Sequence, residues 1–189
     1  MKNQMKHLGT QILETPRVIL RRFVPEDAQA MYENWASDPE VTKYLTWPTY
    51  QNPDAAHGIL ELWTGEYEKA DFYQWMIVPR ELGEPIGSIS VVHQREEIGE
   101  FEIGYCIGKN WWHQGITSEA LGAVIDFLFR EVGANRITAR HDPRNAHSGN
   151  VMKKCGMRYE GTTRQSDRNN QGICDTVHYA ILRGDQEKK

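Results

Sequence analysis

The sequence predicts an α/β (α+β) fold, a mixed sheet with helices on its faces, and three observations carry that reading. Apolar residues recur at helical spacing across 118–132, where Leu121, Val124, Ile125, Leu128, Phe129 and Val132 share one stripe. Three β-rich segments, 72–78, 86–92 and 100–107, are joined by links of a few residues, which suits antiparallel hairpins. Strand and helix patterns then alternate towards the end of the chain, so the layering is that of helices on a sheet.

The first strand is expected at 17–23, a β-rich run with partial alternation. Pro25, Glu26 and Asp27 open a helix reaching about Trp35, with the acidic pair at the positive end of the helix dipole. The aromatic, proline-broken stretch 44–50 reads as a loop. A second helix is expected over 53–69, with Ile59, Leu60, Trp63 and Tyr67 at helical spacing. In the strand at 100–107, Phe101, Ile103, Tyr105 and Ile107 share one face, and Glu102, Gly104 and Cys106 the other. Gly133 sits where the helix at 118–132 would stop. A strand at 136–140, a short helix at 146–155 and strands near 157–161 and 175–182 follow, the last two joined by the turn-rich 168–172. No repeat, low-complexity tract or linker interrupts the chain, so a single domain over residues 1–189 is expected.

Composition narrows the function. A net charge of −4 argues against nucleic acid as the main partner, because phosphate binders carry a basic excess, and it leaves room for a cationic acceptor. Cys106, Cys155 and Cys174 are odd in number and widely spaced, with no CxxC, so reduced thiols and no metal site are expected. The first residues carry two lysines but no apolar run, and no stretch has the length of a membrane span. A cytoplasmic protein with no membrane partner is expected.

The informative junction runs from the strand at 100–107, through the loop 108–117, into the helix that follows. A glycine-containing strand–loop–helix junction exposes backbone N–H groups and the positive end of a helix dipole, which suits an anion. Gly115 would let the backbone come close to a diphosphate, and Thr117 or Ser118 could cap the helix and donate to oxygen. Taken alone, a glycine before a helix is usually just a turn. The pattern lacks the Gly-Lys-Ser/Thr of a P-loop and the glycine spacing of a dinucleotide fingerprint. A second constellation is Asn145, Ala146, His147 and Ser148, followed by Lys154, Cys155 and Gly156. Asn145 and Ser148 could face one cleft, or they could serve the turn and the helix start.

Together these residues resemble the GCN5-related N-acetyltransferases (GNAT), and more closely the branch containing the ribosomal-protein alanine N-acetyltransferases. Residues 15–23 with Glu26 and Asp27 are similar to that branch's opening strand and helix. Residues 101–105, 115–120 and 145–148 with 154–156 then follow in the family's order and spacing. The resemblance covers roughly 15–183. It implies a mostly antiparallel sheet that splays between the strands at 100–107 and 136–140, with the pantetheine arm of acetyl-CoA lying in the gap like an added strand. It places backbone amides of Cys106, Ile107 and Gly108 on that arm and Asn145 against the pantetheine. The pyrophosphate would rest on His113, Gln114, Gly115, Ile116, Thr117 and Ser118. One departure is visible. The family's loop begins with Arg or Gln and ends Gly-x-Gly or Gly-x-Ala, whereas Trp112 and Thr117 hold those places here.

Acyl transfer from a thioester needs a neutral amine, a stabilised oxyanion and a proton for the leaving thiolate. Glu102, mid-strand and opposite the apolar row, is the candidate base: a carboxylate in a half-dry cleft would have a raised pKa suited to the task. A solvent-facing glutamate is the plain alternative. Ser148 is the candidate proton donor on the strength of the resemblance, with a positioning role open, and a backbone N–H near Cys106 or Ile107 would serve the oxyanion. Cys106 reads as a small buried filler, no activating partner being near it in the sequence. The pattern His141, Asp142 and His147 lacks a further metal ligand. Tyr44, Trp47 and Tyr50 wall the acceptor pocket, pack in the core or form a homodimer contact. The expected activity is acetyl-CoA-dependent N-acetylation of a primary amine by direct attack in a ternary complex, a protein N-terminal α-amine being one acceptor. A small amine (polyamine, amino acid or antibiotic) and a non-catalytic acyl-CoA sensor are the alternatives.

Overall fold

The structure, a computed structural model, describes residues 5–186. Among the described residues, eight strands form one sheet in the order β1-β2-β3-β4-β5-β6-β8-β7. They are β1 Leu13–Glu14, β2 Val18–Arg21, β3 Gln74–Pro79, β4 Gly87–Arg95, β5 Glu100–Ile107, β6 Arg136–His141, β7 Arg158–Asn169 and β8 Gly172–Leu182. Only β5 and β6 run parallel; the other neighbours are antiparallel. The helices are α1 Ala28–Met31, α2 Pro39–Thr42, α3 Pro53–Glu66, α4 Ile116–Phe127, α5 Ala146–Lys154 and α6 Arg183–Gln186. No helix among the described residues is long and apolar enough to cross a membrane.

The sheet is covered on both faces, and β3 shows why its sequence is a nearly continuous apolar run. Trp75 and Ile77 join the cluster beneath α4, with Leu20, Ile89, Phe101, Ile103, Leu121 and Val124. Met76 and Val78 point the other way, into a cluster with Phe23, Met31, Trp35 and Leu60 from the helices before β3. A strand buried on both sides has no polar face to alternate with. Each large side chain buried in this way contributes about 1.5–3 kcal/mol of transfer free energy. The two faces expected for β5 are observed: Phe101, Ile103 and Ile107 belong to the cluster under α4, whereas Cys106 packs on the opposite one.

Some expected elements differ. The first helix is broken into a 3-10 turn at Pro25–Asp27, the single α turn α1, and a π turn at Tyr32–Ala36. The helix expected over 53–69, α3, ends at Glu66. The helix expected over 118–132 begins at Ile116 and widens to π geometry at Leu128–Val132. The closing hairpin is longer than its pattern suggested, because β7 is an edge strand whose polar residues face solvent almost throughout. A tight turn at Asn170 and Gln171 therefore replaces the loop expected over 168–172.

Two irregularities position the site. The β4–β5 register slips between Val91 and His93, leaving Val92 as the extra residue, and such a bulge strengthens the local twist. Gly104 of β5 accommodates it, since a Cβ there would lie 2.8 Å from a Val92 methyl. On its other side β5 pairs with β6 only over Glu100↔Arg136, Phe101↔Ile137 and Glu102↔Thr138. Beyond Glu102 the strands part, so the β6-facing edge of β5 from Ile103 to Ile107 has no strand against it. This is the expected splay.

Candidate active site

Two cavities meet at the splay. One, of about 460 Å³, lies between β5, the loop leading to α4, and α5. The other, of about 350 Å³, lies between β4, β5, β6, the β7–β8 hairpin and the loop after α2. Tyr44, Leu45, Tyr105, Cys106, Asn145 and Ser148 line both, so they mark the junction.

The larger cavity opens onto the start of α4. Gly115 is the N-cap residue with φ of 77°, a left-handed conformation that glycine adopts at no steric cost, and with Thr117 and Ser118 of the first turn of α4 it lines the cavity. His113 is also left-handed, at φ 62°. The junction is tied from outside. Glu119 accepts hydrogen bonds from the Thr15 hydroxyl (2.6 Å), the Arg17 amide (2.9 Å) and the Arg17 Nε (2.6 Å), while Arg17 Nη1 donates to the Gln114 carbonyl (2.9 Å). Burial opposes the Glu119 charge, but those donors outweigh it and hold the carboxyl below its usual range. Trp112 Nε1 donates to the Ile107 carbonyl at 2.9 Å, bracing the loop against the strand end. Facing the loop, α5 presents His147, Lys153 and Lys154, and the His113 and His147 rings meet edge to face at 4.6 Å.

Of the residues assigned to the cofactor from sequence, Cys106, Ile107, His113, Gly115, Thr117, Ser118 and Asn145 line this cavity. Three do not. Gly108 is turned against Asn34 and the Trp111 ring, Gln114 is exposed with its carbonyl taken by Arg17, and the Ile116 side chain is buried in the core. Asn145 holds the N-cap position of α5 without a side-chain capping bond, and the residue lines both cavities.

Tyr105 is the residue that its pattern concealed. It sits in the apolar row of β5, yet its hydroxyl crosses to α5, donating to the Ser148 carbonyl at 2.9 Å and lying 3.1 Å from Ser148 Oγ. Burial pushes this phenol far above its ordinary range, so it remains protonated, and the hydrogen bond to Ser148 only partly offsets that. The available signal was its polar tip among aliphatic neighbours, since a buried tyrosine needs a partner for its hydroxyl.

Glu102 lines the smaller cavity, but not as the lone carboxylate in a half-dry cleft that its strand position suggested. Arg140 of β6 places Nε 2.9 Å from Glu102 Oε1, and its Nη1 lies 3.5 Å from Asp167 on β7. The splay keeps Arg140 off β5 while leaving its guanidinium within reach of both carboxylates. Cys106 lies 3.4 Å from the Ser88 hydroxyl, and burial pushes its thiol up, keeping it protonated and a poor nucleophile.

Asp142 closes one wall. Arg144 donates to it from its backbone amide (2.8 Å), Nε (2.9 Å) and Nη2 (2.6 Å), and Asn169 Nδ2 donates at 2.8 Å. The Arg144 guanidinium, foremost among these donors, holds the Asp142 carboxyl well below the usual range despite its burial. Neighbouring His141 is held neutral by burial, its Nδ1 lying 2.8 Å from the Asp142 carbonyl. Among the described residues no group of three or more His, Cys, Asp or Glu side chains gathers as a metal site would require.

Residues 17–158 match the family model described as "Acetyltransferase (GNAT) domain". The chain is 30% identical over 173 residues to the uncharacterized N-acetyltransferase p20 of Bacillus licheniformis, covering 92% of this chain and 97% of that one. Over a shorter segment of 59 residues, 31% of this chain and 30% of the other, it is 37% identical to the [ribosomal protein uS5]-alanine N-acetyltransferase of Escherichia coli. Among solved structures, a GNAT-family acetyltransferase from Bacillus anthracis superposes with a TM-score of 0.80 at 24% identity, over 92% of this chain and 99% of that one.

Proposed function

The chain belongs to the GNAT acetyltransferase family and is an acyltransferase, and from that premise we propose that it carries an acetyl group from acetyl-CoA to a primary amine by direct attack within a ternary complex. The observation that carries the proposal is the meeting of two cavities at the splay, one suited to an extended phosphate-bearing arm and the other to an amine.

The residues present fit acetyl-CoA. The unpaired edge of β5 offers backbone groups to an extended amide-containing chain. The start of α4, shaped by Gly115 and faced by Lys153 and Lys154, offers amide donors and positive charge to a diphosphate. Bound there, acetyl-CoA supplies the activated acyl group, and this chain's residues do the rest. Glu102 takes the proton of the incoming ammonium, directly or through one water, a contribution of about 10²–10⁴-fold in rate. Arg140 fixes the orientation of that carboxylate. Amides of β5 near Cys106 and Ile107 steady the developing negative charge. The Ser148 hydroxyl and the protonated Tyr105 phenol stand together at the junction, where a leaving thiolate takes up a proton. That Glu102 and Ser148 both turn into the cavities supports catalysis over acyl-CoA sensing. The likeness to the uS5-alanine enzyme favours a protein N-terminal α-amine as acceptor.

Calorimetric titration with acetyl-CoA tests the first half of this reading. Wild type binds, and Gly115→Trp, shown to be folded by circular dichroism, does not, because a side chain there meets both a left-handed backbone and the diphosphate path. A folded wild type that fails to bind acetyl-CoA sinks the proposal.

A further inference from the structure

The acceptor-side cavity is closed by two segments far apart in sequence, the loop 44–47 after α2 and the tip of the β7–β8 hairpin. Among the described residues, hydrogen bonds from Asn170 join them. Asn170 donates its backbone N–H to the Leu45 carbonyl (3.2 Å), and its Nδ2 donates to the carbonyls of Thr42 and Trp47 (2.8 Å each). Tyr44, Leu45 and Trp47 on one side and Arg168 and Asn169 on the other all line the cavity, so these bonds tie two of its walls together. The loop belongs to neither sheet nor helix, and the carbonyls of Leu45 and Trp47 would otherwise turn to solvent. Asn170 has its place because β7 and β8 extend to a turn at 170–171, and it takes no part in the base, the phosphate loop or the junction.

We propose that Asn170 is a specificity-determining clasp: it holds the loop 44–47 against the hairpin, so that the acceptor site admits an amine carried on a slender end and rejects a bulky one. This rests on the acetyltransferase reading, and it goes beyond that reading by setting the shape of the acceptor. The cavity of about 350 Å³ is walled by Tyr44 and Trp47 of the loop and by Trp63, so the position of the loop sets the width left beside the reacting amine. In Asn170→Ala the two Nδ2 bonds to Thr42 and Trp47 are lost, while the backbone bond still holds Leu45, which with Tyr44 also lines the cofactor-side cavity.

The test uses Asn170→Ala and the full-length wild type. Thiol release from acetyl-CoA is followed with butylamine, phenethylamine and tryptamine, and with hexapeptides beginning in Ala, Phe or Trp. Wild type favours the slender member of each series. In the variant, kcat/KM for the bulky members relative to the slender ones rises about fivefold or more through KM, while the acetyl-CoA Kd stays within about twofold. In parallel, hydrogen exchange of amides in 43–50 quickens in the variant. A size ratio that does not move, or exchange that does not quicken, overturns the clasp. If wild type turns over none of these amines, acetyl-CoA titration tells whether the acetyltransferase reading has failed, and the clasp then stands or falls on the exchange rates alone.

Discussion

Glu102 and Arg140 show how one contact changes the meaning of a residue. A glutamate opposite an apolar row on a strand reads equally as a base or as solvent-facing ornament, and the pattern contains nothing to separate them. The structure pairs it with a guanidinium contributed by a strand 38 positions further along, which itself spans to Asp167. Glu102→Gln is expected to lower kcat by about 10²–10³-fold with the acetyl-CoA Kd unchanged, as loss of a general base would. Arg140→Met is expected to cost less. Because Arg140 acts through Glu102, the double variant should be no slower than Glu102→Gln alone, a non-additivity that steady-state kinetics on the four proteins would read. Additive losses would mean that Arg140 contacts the acceptor independently. Tyr105 teaches a related lesson: its place in an apolar row was legible, and its hydroxyl's partner on α5 was not.

At the scale of elements, the start of α4 carries most of the cofactor argument. The sequence displays the glycine, the cap-capable Thr117 and Ser118, and the apolar stripe behind them. It does not display that Glu119 in the first turn is the anchor by which the turn between β1 and β2 holds the loop. Glu119→Gln weakens charge-assisted bonds of about 1.5–3 kcal/mol each. The expected result is an acetyl-CoA Kd raised by about tenfold, with kcat at saturating cofactor nearly unchanged and a lowered melting temperature. Calorimetry beside thermal unfolding checks it, and an unaltered Kd would show that the loop is rigid without its anchor. The final hairpin is the element that the sequence concealed most. Its edge strand is polar on its exposed residues, so the hydrophobic alternation that marks strands is weak just where the chain forms its longest pair.

Over the whole molecule, one buried carboxylate links the site's wall to stability. The folded state holds Asp142 below the ordinary carboxylate range, so the stability it contributes is present above the unfolded pKa of about 4 and is lost as pH falls below it. Asp142→Asn is therefore expected to cost on the order of 2 kcal/mol near neutral pH, a gap that narrows as the medium is made more acid than about pH 4. Denaturant unfolding of both proteins at several pH values measures it, and a gap independent of pH would assign Asp142 a packing role only. The sequence by itself determined the fold class, the order of nearly all elements, the two faces of β5 and the glycine-marked junction that opens α4. Those properties are local, written in spacings of two to four residues and in glycines at turns. The tertiary structure alone decided that β5 and β6 part after Glu102, that Arg140 meets Glu102, that α5 turns His147 and two lysines towards the loop, and that Asn170 reaches Thr42 and Trp47. Each joins residues tens of positions or more apart, and such pairs become neighbours only through sheet order, twist and the length of an edge hairpin, none of which local periodicity encodes.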